Sequence, residues 1–486
     1  MLKPLATGFS RGTIEELSRQ KGEPEWMLQK RLQAWEIYEN TPAPLGRRGD
    51  LGTRRTISNF KFQELSPYIP SDTNGVLPAA IEQSLQQALV NERSGLIVQH
   101  NSSVVHTELS AELKQQGVIL TDLDTAVRTY PELVQKHFMT DCIPVATSKY
   151  TALHAAFWSG GFFLYIPQGS KIEAPILAQV WLDASSSAAF THTLIIAEAQ
   201  SSVRFVEEYS SKVDAQHPTL LSDVVELYAK NEARIEFSNL QDLDQNTWNI
   251  SNKNALYEKD GSVTYVAADL GSRVTLSTLG LGLKGNGSAG ELVGVFFTDN
   301  DQRYSINTLS DHAALSTNAE TLVKGVLTGR SRVEFDGMIR VEPGAQQTAS
   351  YLSAHGLLLS KEARGEFIPG LEIAANEVSA SHGATSGQVD EEQLFYLMVR
   401  GIPREEAERI IVQGFFEPVL QRIPLENLRG RLRRSIVRRM SGEYETEADT
   451  WVDAQERWEI EGVDEGAIHL NGNPADADEE IKLTEY

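Results

Sequence analysis

The alternation of apolar and polar positions changes character twice along the chain. In the first 149 residues the apolar positions recur at helical spacing. Leu28, Leu32 and Trp35 fall at i, i+4 and i+7 and predict a helix from about Pro24 to Tyr38. Thr13 with Glu16 has capping-box spacing and predicts the start of an earlier helix. Residues 41–75 are rich in Gly, Pro, Arg and Ser and read as a long connection. Helices are also predicted over 77–91, around Ala111 and over 131–138, with a strand beginning at Gly95.

From about residue 150 helical periodicity disappears. Short alternating runs begin at Val203, Asp223, Ala233, Ser262, Arg273 and Glu291, separated by Gly, Asn, Asp and Ser. Such alternation buries one face of a strand and wets the other. More than 200 residues of strands with no helix between them is long for one sandwich. A β-helix stacks short turns indefinitely and is favoured.

Helical spacing returns at Asp390, a capping residue before Leu394, Leu397 and Met398. Pro403 opens a second helix carrying Ala407, Ile410, Ile411, Gly414 and Phe415 on one side. A third carries Leu425, Leu428, Leu432 and Ile436, with Arg between them. The pattern therefore divides into an N-terminal helical and mixed region (1–149), a β-helix core (150–388), a C-terminal helical domain (389–440) and a tail (441–486).

Charge sharpens that division. The net charge is −23, and residues 441–486 hold 15 Asp and Glu against 2 Lys and Arg, so the tail supplies over half the excess. Just before it, residues 421–440 carry seven Arg and one Glu. That short stretch is the sole concentration of positive charge, which argues against nucleic acid as the main partner. No run approaches the ~20 apolar residues of a membrane helix. The N-terminus lacks the apolar core of a secretory signal, so a cytoplasmic protein is expected. The two Trp of the tail, Trp451 and Trp458, predict one docked turn there.

The candidate chemistry is sparse. One cysteine, Cys142, excludes an intrachain disulfide and a cysteine-only metal cage. Gly285–Gly290 matches GxGxxG, but a strand follows where a dinucleotide site needs a helix, so it reads as a turn between strands. There is no GxxxxGK[ST] phosphate loop. Ten His form no HExxH pair; His192 and His217 are scattered in the strand array, while His312 and His382 sit in turn-like settings. A neutral imidazole is a common metal ligand, yet a complete site would need ligands from a second subunit. The acid pairs Glu207/Glu208 and Glu232/Glu236 read as solvated carboxylates on the wet face, not as a glycosidase pair.

At residues 371–415 the motifs become specific. Leu371–Leu397, with Ser381-His-Gly-Ala-Thr385 inside it, and Arg400–Phe415 closely resemble the C-terminal signature of the SufB/SufD family of SUF iron–sulfur cluster assembly scaffolds. Lys21-Gly-Glu-Pro-Glu-Trp26, Gly117–Arg128, Trp158–Pro167 and Phe335–Val341 are similar to the same family, so the resemblance spans roughly residues 1–440. SufB-type chains carry a cysteine whose position falls near Ala363, and the Ser381–Thr385 run has the SufD form. Many SufD-type chains carry a cysteine where this one has Ala380.

The resemblance implies a mainly β protein: a right-handed parallel β-helix core with N-terminal and C-terminal helical regions. It implies a non-catalytic scaffold, most like SufD, that pairs with a SufB-type paralogue and docks the ABC-type ATPase SufC; the alternative is a SufB-like role, or a homodimer, with SufC. His382 matches a histidine implicated at the paralogue interface, where it would be a transient iron or cluster ligand shared with the partner; no stably bound cofactor is expected. Arg404, Ile410, Ile411, Phe415, Phe416, Leu428 and Leu432 would face SufC, with the arginines setting its orientation. A β-helix carbohydrate-active enzyme is the rival class; it would be secreted and would have no use for a C-terminal helical domain.

Overall fold

The computed structural model describes residues 2–43, 51–71, 93–213 and 217–441. The helix expected over 77–91 and the acidic tail beyond residue 441, with Trp451 and Trp458, lie outside them.

From Gly160 to Gln388 the chain winds as a parallel β-solenoid of about eight turns, each turn giving one strand to each of two sheets. Every alternating run read from the sequence is a strand of it: Ser202–Ser211, Thr219–Ala229, Arg234–Asp242, Ser262–Asp269, Val274–Leu283 and Ala289–Thr298. Val274, Arg303, Arg332 and Arg364 stack directly, a repeat of 29 to 32 residues. Gly95–His100, from the N-terminal region, joins the other sheet, in parallel with Ile176–Leu182.

The repeat is held by its corners. Gln200, Glu232, Asp260, Gly287, Ser316 and Gln347 occupy one corner in successive turns, all with φ between 54° and 73°. That left-handed conformation is disfavoured for L-residues. Here each corner N–H donates to a carbonyl of the next turn at 2.6–3.0 Å, so the ladder continues around the bend. The GxGxxG run is such a corner, as expected. A Cβ on Gly285 would lie 2.0 Å from the Glu258 backbone, which explains glycine there.

Inside, alternate residues of both sheets form one apolar core that includes Phe205, Phe237, Leu281, Phe335 and Leu352. It also holds charge. Glu207 is fully buried and accepts a 2.6 Å bond from the Thr193 hydroxyl. Asp223 accepts from Asn249 and Ser251, both at 2.7 Å, and faces Lys253 at 3.3 Å. Glu208 points the other way and is only 6% exposed, covered by the C-terminal helices. Neither acid is solvated, which corrects the sequence expectation; alternation alone does not show that the outer face of a strand is covered.

Burial raises the Glu207 carboxyl to about 7. A raised carboxyl contributes its stability below its unfolded value, and loses it as pH rises through the folded one. Glu207→Gln keeps an acceptor for Thr193 and never ionises. Denaturant titrations should show it more stable than the parent at pH 8, by on the order of 3 kcal/mol, and equal at pH 4. An equal gain at both pH values would contradict this.

The N-terminal helices cover the outer face of one sheet, burying Phe190, Leu194, Ile196 and Val224 against Phe138, Phe157 and Trp158. Ser10, not Thr13, caps the first helix, Arg11–Lys21: the Ser10 and Thr13 side chains make the reciprocal box three residues earlier than predicted. The second helix, Glu25–Asn40, follows Pro24. Its Arg31 is completely buried, 2.6 Å from Glu23, and donates to the carbonyls of Ala156 at 3.0 Å and Trp158 at 2.9 Å. Burial alone would raise Glu23, but the adjacent guanidinium outweighs it and holds the carboxyl below its ordinary value. Glu23 of the Lys21–Trp26 motif thus holds Arg31 in a clamp that ties the second helix to the residues leading into the first solenoid strand.

Candidate partner interfaces and the terminal histidine

The two ends of the solenoid differ. At its beginning, antiparallel strands finish both sheets: Ser103–Leu109 on one and Ile119–Asp122 on the other. At its end, Arg364–Ile373 and Val378–Gln388 are, among the described residues, the last strands of their sheets and present open edges. No residue of either is buried, and Ile368, Leu371 and Ile373 are 47%, 37% and 41% exposed. An unblocked pair of edges with apolar side chains is a template for pairing with another chain.

His382 lies on this terminal strand, exposed, directly above Leu352. His355, one strand earlier, is fixed between Ser353 and Thr385, each at 2.7 Å. Among the described residues, no three His, Cys, Asp or Glu come close enough to hold a metal ion. Ala363 is buried and Ala380 stands two residues before His382, so neither position supplies a thiol. The lone Cys142 is 3% exposed; its Sγ donates to the Asn254 carbonyl at 3.3 Å, and burial pushes the thiol well up. What this chain offers at its open end is an imidazole.

Three other histidines make contacts inside the fold. His312 is buried, with Nδ1 2.8 Å from Thr317 and Nε2 3.0 Å from Ser350. His192 is buried beneath the N-terminal region. His100 touches Ser71 at 2.5 Å through Nδ1 and Asp183 at 2.9 Å through Nε2. Asn101 bonds the same Asp183 oxygen and caps the Asp183 and Ala184 amides, so the group closes a solenoid corner.

Three helices follow the last strand: Glu391–Met398, Arg404–Leu420 and Glu426–Ser441. Asp390 caps the first through the Glu392 amide rather than pairing with Gln393. Pro403 stands just before the second helix, not within its first turn. The second and third pack on the outer face of the sheet opposite the N-terminal region. Val412, Phe416, Val419, Leu428, Leu432 and Ile436 meet Leu240, Val266, Val293 and Val295 there. Ion pairs fix them: Arg438 and Arg439 to Asp242, Arg431 to Glu208, and Arg422 to Glu291 and Glu320.

This alters the predicted partner face. Phe416, Leu428 and Leu432 are at most 2% exposed against the chain's own sheet, so they do not form a surface for a partner in this conformation. Four of the seven Arg of 421–440 are likewise spent on the solenoid. Ile411 and Phe415 are half-buried, and Lys324 donates to the Phe415 carbonyl at 2.8 Å. Arg404 is exposed; it links the first two helices through Glu391 and pairs with Glu408 one turn along its own helix. Ile410 is exposed as well, and so are Met398 of the expected apolar stripe, at 41%, and three residues that the sequence reading missed: Phe395, Tyr396 and Val399 are 67%, 57% and 59% exposed. Arg400 stacks on Tyr396 with its guanidinium 3.4 Å from the ring centroid. Leu394 is the buried side of that helix, so helical geometry turns the adjacent aromatic pair outward. That adjacency was the available signal.

Comparison with known proteins agrees with this architecture. Residues 180–415 match the family described as "SUF system FeS cluster assembly, SufBD core domain", and residues 82–179 match the "SufBD protein N-terminal region". The iron–sulfur cluster assembly protein SufD of Bacillus subtilis is 32% identical over 432 residues, 88% of this chain and 97% of its own. SufB of the same organism is 30% identical over 429 residues, 86% of this chain and 90% of its own. An iron–sulfur cluster assembly SufBD family protein of Staphylococcus saprophyticus is also 30% identical, with the same coverage. No helix among the described residues is long and apolar enough to cross a membrane. A parallel solenoid bearing helices at both chain ends, matched along its length by these relatives, makes the chain a member of the SufBD family of SUF iron–sulfur cluster assembly scaffolds.

Proposed function

We propose that this chain is the SufD-type scaffold subunit of a cytoplasmic SUF complex, and that it works only in combination. The observation that carries the reading is the separation of its ligands. The one thiol is buried and bonded to backbone, while His382 stands on the exposed terminal strand. A nascent cluster, as cargo, would meet one neutral imidazole from this chain and take its thiolates from a partner. Open sheet edges suit a SufB-type paralogue, whose own terminal strands would continue both sheets and cover Ile368, Leu371 and Ile373. The exposed apolar side chains of Phe395, Tyr396, Met398 and Val399 suit an ABC-type ATPase of the SufC kind, which would supply the phosphate loop absent here.

His382→Ala removes an exposed side chain and should leave the fold and the complex intact. In cells that depend on this SUF system, cluster yield should fall several-fold while the complex still copurifies. Unchanged yield would remove His382 from the site; loss of the complex would make it an interface residue instead.

A further inference from the structure

Beneath the N-terminal region lies a buried chain of polar groups for which scaffolding and partner docking give no use. Ser222 lies 3.1 Å from His154 Nδ1, His154 Nε2 lies 3.3 Å from His192 Nδ1, and His192 Nε2 lies 3.1 Å from Glu226 Oε2. Glu226 also accepts the backbone N–H of Met139 at 2.7 Å and of Ile143 at 3.1 Å. His154, His192 and Glu226 are completely buried. Ser222, His192 and Glu226 belong to the solenoid; His154 and the two amides belong to the segment from Met139 to Phe157 that covers it.

We propose that this file is an acid-sensitive latch holding the segment 139–157 on the outer face of the first solenoid turns. Its geometry permits one proton order at a time, each group donating to the next, with every member neutral except for a proton shared between His192 and Glu226. A second proton breaks the order, because an imidazolium has no acceptor nitrogen to offer its neighbour. The surroundings oppose that proton too. From helix Glu25–Asn40, Lys30 faces His192 and Glu226 and Arg31 faces His154. Cys142 and Tyr228 complete the lining, with Asp141 and Lys284 acting on Cys142 from the rim. Burial, reinforced for His154 by His192 and Arg31, pushes both imidazoles well below their ordinary value.

The sign follows. A histidine whose docked value is depressed favours docking above its ordinary value of about 6.5 and opposes it below. Release lets two such histidines take up a proton each, while Glu226, whose carboxyl burial raises to about 8, gives one up, so below about pH 6.5 the open fraction should rise up to ~10-fold per pH unit. The test is hydrogen–deuterium exchange of the full chain between pH 7.5 and 5, corrected for intrinsic rate. Amides of 139–157 should lose protection steeply below about pH 6, while strand Asn318–Leu327 keeps its own. His192→Gln keeps a hydrogen-bonding side chain without the titration and should flatten the dependence by about tenfold per pH unit. An unchanged dependence in that variant overturns the latch. Should the variant not fold, a pH-independent profile of 139–157 in the parent chain overturns it equally.

Discussion

Replacing Arg31 with leucine is expected to cost about 3–5 kcal/mol of stability, the range for removing one partner of a buried ion pair. The loss has three sources. Glu23 keeps a buried carboxylate whose compensating charge is gone, with Lys21 the nearest remaining cation. The carbonyls of Ala156 and Trp158 each lose a donor at the point where the helix Lys149–Phe157 hands over to the first solenoid strand. The Trp158 ring, 4.6 Å from the guanidinium, loses its stacked cation. Denaturant midpoints of the purified chain measure the effect. A double variant, Arg31→Leu with Glu23→Leu, should recover much of it, because an unpaired buried charge is worse than an apolar pair. A cost below about 1 kcal/mol, the level of an exposed pair, would mean that the clamp is not the anchor of the N-terminal region.

The second large effect concerns partner binding. Phe395→Asp combined with Tyr396→Asp should weaken capture of the ABC-type ATPase at least 100-fold. Exposed aromatic anchors of an interface are each worth about 2 kcal/mol or more when lost, and two carboxylates would be buried in their place. Because both side chains are exposed, the change should leave the unfolding midpoint within about 0.5 kcal/mol of the parent. Phe416→Ala acts in the opposite sense: it should destabilise the fold by about 3–5 kcal/mol as a core truncation. Retained capture by the Phe395/Tyr396 variant would place the ATPase elsewhere.

The contrast between those residues shows what the sequence could and could not disclose. The solenoid was legible because alternation at Val203, Asp223 and Ser262 is a local signal, and because Gly, Asn and Asp mark corners that demand left-handed backbone. The 29- to 32-residue repeat itself was hidden, since corners held by Gln200, Glu232 and Ser316 carry no glycine signature. Helices at 404–420 and 426–441 were legible as amphipathic. Which face was spent on the chain's own sheet was not, because Ile410 and Phe416 look alike until the sheet beneath them is known. The arginines were misread for the same reason: Arg431 and Arg439 answer Glu208 and Asp242, more than 190 residues away in sequence. Glu207 and Glu208 show the limit most simply. Adjacent in sequence, one enters the core and the other meets a helix, and local pattern treats them as equals.

This chain acts as one part of an assembly if its surfaces work as proposed, and the mass of what it holds tests that most directly. Coexpressed with SufB-type and SufC-type subunits and isolated by a tag on this chain, it should give native masses that contain the paralogue and the ATPase together. A tagged chain that returns alone, or only paired with itself while both other subunits are present, would contradict it.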